Sequence, residues 1–134
     1  MIYSLAYVSY AADNLTQEQI NQVFNFTVNW NIDHKISGFL VHNNRNFVQL
    51  LEGDKNEIKD LFSRISIDKR HKDIFLILEQ EMPQRAFDGY KSGFLISDSR
   101  LHTELKDYLD YLKLLEDPQI DKTIGTIEGI LKGM

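Results

Sequence analysis

The order strand–helix–strand–strand–helix–strand predicts an α+β chain: a ferredoxin-like βαββαβ sheet, antiparallel, with two helices on one face, an extra fifth strand and C-terminal helices. Three observations carry that prediction. Strand-like apolar segments begin at Ile2, Ile36, Asn46 and Ile74. Capped helical stripes follow Thr16 and Asp54, and only a short polar turn separates the second and third strands. In this topology the first and third strands lie side by side in the middle of the sheet.

The first strand, Ile2 to Ser9, carries Tyr3, Leu5 and Tyr7 on one parity and Ile2, Ala6 and Val8 on the other, as a strand covered on both faces does. Thr16 and Gln19 have capping-box spacing, with Leu15 and Ile20 placed to form a hydrophobic staple. The helix they start presents Ile20, Val23, Phe24, Thr27 and Asn31 on one stripe, so its inward face ends in polar groups. Ile36–Val41 and Asn46–Leu51 read as strands joined through His42-Asn43-Asn44-Arg45, where Asn tolerates left-handed backbone. Asp54 caps the second helix, with Glu57 in the reciprocal position and Ile58, Leu61, Phe62 and Ile65 as its buried stripe. Ile74–Leu78 is a fourth strand and Tyr90–Ile96 a fifth. Leu101, Leu105, Tyr108, Leu112 and Leu115 mark a further helix, broken at Asp117-Pro118, and Ile120, Ile124, Ile127 and Leu131 a last one. Gly125, Gly129 and Gly133 recur every four residues there, which costs helix propensity and suggests a narrow face pressed on the sheet or a neighbour.

Composition narrows the function classes. The 134 residues are 43% hydrophobic and 26% charged, ordinary globular usage. Fifteen basic against twenty acidic side chains leave a net charge of -5, which disfavours a nucleic-acid-binding module. With no cysteine, disulfides, Cys-ligated metals and thiol nucleophiles are excluded. Met1 to Tyr10 lacks a signal-peptide pattern, and no stretch approaches the ~18 apolar residues of a membrane span, so a soluble cytoplasmic protein is expected. His34, His42, His71 and His102 lack metal-ligand spacing and are expected to be exposed or locally bonded. Lys69-Arg70-His71-Lys72 is too short a basic run for a nucleic-acid face. Glu52-Gly53-Asp54 reads as a strand-to-helix turn, with neither phosphate-loop spacing present.

Two polar residues interrupt apolar parity. Gln49 lies between Phe47 and Leu51 on its own face, and a buried amide needs partners for two donor hydrogens and an acceptor oxygen. Tyr7 occupies the inner first strand. Taken singly, a backbone-bonded or exposed glutamine and a core tyrosine with a polar tip explain both. Jointly, neighbouring strands would bring phenol and amide together under the two helices, and Asn31 would arrive from the first helix end. Such a floor in an apolar slot suits a flat, heteroatom-edged ligand.

Tyr7-x-Ser9, Asn31 seven residues before Gly38, Ile36-Ser37-Gly38-Phe39-Leu40 and Phe47-Val48-Gln49-Leu50-Leu51-Glu52-Gly53 resemble the BLUF domain, the flavin-binding blue-light sensor family. The similarity continues through Phe62-Ser63-Arg64-Ile65, Asp68-Lys69-Arg70-His71 and Phe87 to Gly93-Phe94, and spans residues 1–96. It implies a flavin, FAD with FMN as the alternative, standing between the two helices. By matching position Tyr7 is the redox-active phenol, Gln49 the amide linking it to the flavin edge, and Asn31 the group on the ring's carbonyl and imide side. Arg64, Asp68 and Arg70 occupy positions associated with the ribityl and phosphate portion, where a guanidinium recognises an anion in bidentate fashion. Val23, Thr27, Phe47 and Ile65 would line the ring. The implied event is photochemical: Tyr7 supplies an electron and then a proton, and Gln49 returns flipped or tautomerised.

The chain departs from the family where Tyr90-Lys91-Ser92-Gly93-Phe94 replaces the common Trp-Ser-Met-Gly-Phe. Ser92 offers Gln49 a hydroxyl in place of a weakly accepting thioether, and Tyr90 is a candidate second electron donor, so altered recovery kinetics are expected. The resemblance implies a non-enzymatic photosensor of residues 1–96 with a helical extension, 97–134, that packs on the sheet or mediates self-association, and that signals to a separate protein partner. Two alternatives remain open on sequence alone: a small enzyme acting on acyl-phosphate-type anions through Arg64 or Arg70, and a flavin-free regulatory module.

Overall fold

The computed structural model describes residues 1–43, 45–87, 93–95 and 99–132; the side chains of Val28, Asn43, 93–95, 99–104 and Leu131 are outside that description. In chain order the elements are β1 (Ile2–Ala11), α1 (Gln17–Asp33), β2 (Ser37–Asn43), β3 (Asn46–Gly53), α2 (Lys55–Ser66), β4 (His71–Met82), β5 (Gly93–Leu95), α3 (Ser99–Lys113) and α4 (Pro118–Lys132). The strands form one sheet in the order β4-β1-β3-β2-β5. β1 pairs antiparallel with β3 and β4, β2 antiparallel with β3, and β5 parallel with β2. The ferredoxin-like order and the central β1–β3 pair are those expected from the sequence.

Local chemistry sets the helix starts. Thr16 Oγ1 accepts from Gln19 N at 3.2 Å while Gln19 Oε1 accepts from Thr16 N at 2.9 Å, the reciprocal cap. Asp54 accepts from the N–H groups of Asn56 and Glu57. The reciprocal bond expected from Glu57 is not made among the described residues, so this end is capped from one side. Gly38 has φ +143°, and a Cβ there would stand 1.8 Å from Leu50 O, so only glycine lets β2 close on β3.

Each face of the sheet carries its own core. On one, Tyr3, Leu5, Tyr7 and Leu51 meet Ile58 and Leu61 of α2, while Leu40 and Phe47 meet Ile20 and Phe24 of α1. On the other, Ala6, Phe39, Val48 and Leu50 meet Leu105, Leu109 and Leu112 of α3 and Ile120, Ile124 and Ile127 of α4. Every buried CH₂ on either side contributes roughly 0.8 kcal/mol.

Several boundaries differ from expectation. β4 extends three residues before Ile74 and four beyond Leu78. Its charged residues Lys72, Asp73, Glu79 and Glu81 obscure the alternation, because this edge strand is half solvated and bulged against β1. β2 runs to Asn43, which pairs with Asn46, so the connection is two residues and Arg45, at φ 67°, takes the left-handed position. Leu115 lies exposed beyond the end of α3, and Leu109 joins Leu105 and Leu112 on the buried face. A Cβ on Gly125 or Gly129 meets nothing within 4 Å, so these glycines are not pressed against the sheet. The fifth strand is described over Gly93–Leu95, and Tyr90, Ser92, Ile96 and Gly133 lie outside the described residues.

Candidate functional site

Tyr7 and Gln49 are direct partners in the β1–β3 register, and antiparallel partners project to the same face. That face lies beneath α1 and α2. Tyr7 Oη donates to Gln49 Oε1 at 2.5 Å, with both side chains buried. Gln49 Nε2 has no partner among the described residues. Asn31 comes from the last turn of α1, whose main chain is tied to the approach to β2 by Ile36 N donating to Asn31 O at 2.8 Å. Its Oδ1 is buried without a partner, as is Nε1 of Trp30 one residue earlier. Leaving such atoms unpaired costs about 1–3 kcal/mol each, so this is a site built for a ligand's polar edge.

Between the helices, over the Tyr7–Gln49 pair, is a cavity of about 170 Å³. Tyr7, Val23, Thr27, Asn31, Phe47, Gln49, Arg64, Ile65, Asp68 and Arg70 all line it, so the ten candidate binding residues surround one space. Arg64 and Phe26 of the lining are exposed, so the cavity opens to solvent beside them. Thr27 Oγ1 donates to Val23 O at 2.8 Å, so its hydroxyl is already engaged within α1.

The lining also holds Phe26, Trp30, Leu40, Leu61 and His71, which the sequence reading left out. Val23, Phe26, Thr27 and Trp30 form their own i, i+3, i+4, i+7 stripe, and that periodicity was the available signal for Phe26 and Trp30. His71 corrects an expectation. Its Nε2 faces Ile65 O at 2.5 Å, and since a carbonyl only accepts, Nε2 carries a proton; Nδ1 shares a hydrogen bond with Ser9 Oγ at 2.8 Å. The ring stands edge-on to Tyr7 at 6.2 Å. Ser9, on the Tyr7 parity and buried, was the clue that an inward polar partner was needed. His34 is locally bonded to Trp30 O, whereas His42 is buried against the Phe47 ring with neither nitrogen partnered. Among the described residues no cluster of His, Cys, Asp or Glu could hold a metal.

The three anion-end candidates separate. Arg70 is committed to Asp68 through Nε to both carboxylate oxygens at 3.0 Å and Nη2 at 2.5 Å. Burial alone would raise the Asp68 pKa, but the Arg70 bonds and charge hold it below its ordinary value, and Asp68 in turn raises Arg70. Arg64 stays exposed, 3.4 Å from Asp60 and 5.0 Å over the Trp30 ring. Burial, then the Asp68 charge, push the Tyr7 phenol well above the usual tyrosine range, so it is neutral with its proton held on Gln49.

A family model described as sensors of blue light using FAD matches residues 2–93. The chain belongs to the BLUF family. It is 31% identical over 102 residues to the blue light- and temperature-regulated antirepressor BluF of Escherichia coli K12, covering 76% of this chain and 25% of that protein. It is 30% identical over 84 residues to the photoactivated adenylate cyclase subunit beta of Euglena gracilis, 63% of this chain and 10% of that protein. The chain thus spans a quarter or less of these relatives. The dark-state structure of BlrB, a BLUF protein, superposes with a TM-score of 0.69 at 26% identity, covering 94% of each chain. Klebsiella pneumoniae BlrP1 with FMN and cyclic diGMP gives 0.72 at 26% identity, over 96% of this chain and 35% of that one. FAD is the flavin of the BLUF family. The unpartnered Asn31 Oδ1 and the Gln49 amide, both lining the slot, fit the carbonyl- and nitrogen-bearing edge of such a ring. Family membership does not favour the acyl-phosphate and flavin-free readings.

Proposed function

We propose that this chain is a non-enzymatic blue-light photoreceptor that binds its flavin non-covalently, with Tyr7 as electron and proton donor and Gln49 as the hydrogen-bond switch. The observation that carries the reading is the buried Tyr7–Gln49 bond opening on a slot with unpaired polar atoms. When bound, the flavin supplies blue-light absorption and an excited state that accepts an electron. Gln49 has one donor end and one acceptor end. In the ground state its oxygen accepts from Tyr7; after the amide flips or tautomerises, the phenol oxygen faces a donor and the opposite end of the side chain presents changed bonding to the ligand edge. Asn31 fixes the ring's polar edge. Arg64, the exposed guanidinium, takes the anionic tail, while the Asp68–Arg70 pair borders the slot.

Residues 1–96 form the sensor and 97–134 its helical extension, the signal passing to a separate protein in the cytoplasm and the sensor self-associating. Supporting a soluble form, no helix among the described residues is long and apolar enough to cross a membrane. The decisive experiment is a dark-minus-lit absorption spectrum of the protein as isolated. A flavin band that shifts on illumination and recovers in the dark is expected; a colourless protein that takes up no added flavin overturns the reading.

A further inference from the structure

The opposite face of the sheet buries a carboxylate that the photochemistry does not use. Glu52 lies on β3, three residues beyond Gln49 and on the other parity, with no exposed surface. Its Oε1 accepts from Ser37 Oγ at 2.8 Å and Phe87 N at 2.8 Å, and its Oε2 from Ala86 N at 2.7 Å. Arg85 closes the group: Nη1 donates to Ser37 Oγ at 2.9 Å and Glu52 O at 3.0 Å, and Nη2 to Lys35 O at 2.7 Å. Burial raises the Glu52 pKa against the opposing pull of these bonds and of Arg85.

Residues 85–87, which follow β4, are in turn fastened to the C-terminal helices. Tyr108 of α3 donates from its hydroxyl to Ala86 O at 2.8 Å. Phe87 is fully buried between the rings of Phe39 and Tyr108, at 5.3 and 5.4 Å. A buried carboxylate is a costly way to fill space, since apolar residues of the same volume are often neutral or more stabilising. What it supplies here is direction: two successive backbone N–H groups bonded to the strand that carries the Gln49 amide, with the carbonyl of the same segment bonded to α3.

We propose that Glu52 is a positioning residue that couples β3 to the α3–α4 layer by clamping residues 85–87 between them, so that a change at Gln49 on one face is delivered to helices on the other. This rests on the photoreceptor reading for its light-driven part, while the clamp itself is open to test in the dark.

The variant is Glu52→Gln, which keeps shape and one acceptor but turns the other end into a donor facing an N–H. Amide hydrogen exchange is measured on the flavin-loaded protein in dark and light. In the dark, Ala86, Phe87 and the amides of residues 105–112 should exchange about ten- to a hundredfold faster, because charge-assisted bonds are lost, with the β1–β3 amides unchanged. Under light, the absorption shift should persist while the exchange change that light produces in α3 of the parent is lost. Tyr108→Phe, which removes one surface-side hydroxyl, provides a milder cut and should give the same uncoupling if Glu52→Gln folds poorly. Unchanged dark exchange at Ala86 and Phe87, or an α3 light response equal to the parent's in both variants, overturns the proposal. If the parent itself shows no absorption shift, the photoreceptor reading fails, and the dark exchange alone decides the clamp.

Discussion

Replacing Gly38 by alanine tests whether the close approach of β2 to β3, which brings Leu40 beside Gln49 in the cavity lining, depends on a missing side chain. Two costs add. At φ +143° a residue with a Cβ occupies backbone space reserved for glycine, costing of order 1–3 kcal/mol. In addition, the new carbon would lie 1.8 Å from Leu50 O, more than an ångström inside contact. Leu50 O is backbone in a central strand and cannot swing aside. β2 must therefore lift from β3 and lose one or two ladder bonds at roughly 1 kcal/mol each. The sum is about 2–5 kcal/mol, set against a total of about 5–15 kcal/mol for a domain. At about 4 °C per kcal/mol for a chain of this size, the melting temperature should fall by about 8–20 °C. Thermal unfolding by circular dichroism at fixed flavin concentration reads the change, since bound ligand moves the midpoint by mass action. A drop under about 4 °C would refute the argument, for it would mean that the strands separate without losing bonds.

Tyr7→Phe keeps the ring and removes the donor, so the flavin should remain bound while the light-induced shift disappears; a shift of parental size places the donor elsewhere. Leu109→Ala, at a position with no exposed surface, should cost about 2–5 kcal/mol in urea unfolding, and a loss below about 1 kcal/mol would show that α3 is not part of the folding core. Thr16→Ala should cost about 1 kcal/mol by undoing the reciprocal cap, and a midpoint identical to the parent's would show that the bond contributes nothing. The Asp68 carboxyl is held below its ordinary value of 3.8, so in that window the folded chain binds fewer protons than the unfolded one. Its stabilisation is complete above that value and drains away as pH falls through the depressed one. The stability gap between parent and Asp68→Asn should accordingly shrink under acid, and a gap constant from pH 6 to pH 2.5 would sink the assignment.

Topology was legible because its determinants are local and redundant. Thr16/Gln19 and Asp54 announce helix starts by chemistry that acts within one turn, and the alternation in β1 and β3 is enforced by cores on both faces. β4 was shortened on paper because an edge strand satisfies only half its ladder and tolerates Lys72, Glu79 and Glu81, so its sequence carries little period-two signal. The glycines of α4 do not face the sheet: small residues are compatible with a close approach without requiring one, and within this chain nothing stands within 4 Å of a Cβ at Gly125 or Gly129.

The site divides along the same line. Tyr7 and Gln49 could be joined in advance since strand adjacency follows from topology and parity from counting, leaving only the register to be supplied, and the register pairs them directly. His71, Trp30 and Glu52 escaped because their roles depend on contacts across 62, across a helix pair, and across 34 residues of chain respectively, which no periodicity encodes. Each nevertheless answered a deficit visible earlier: Ser9 inward without a partner, a second apolar stripe on the first helix, a carboxylate on a core parity. A polar residue placed where apolar ones belong names a debt of hydrogen bonds, and the structure shows who settles it. For Ser9 it is His71, for Glu52 it is the backbone of residues 86–87, and for Asn31 Oδ1 there is no partner among the described residues. Where the chain closes its own network, as at Glu52, the polar residue positions an element; an open atom points to a ligand where, as at Asn31, it also borders a cavity, which the unpartnered His42 does not.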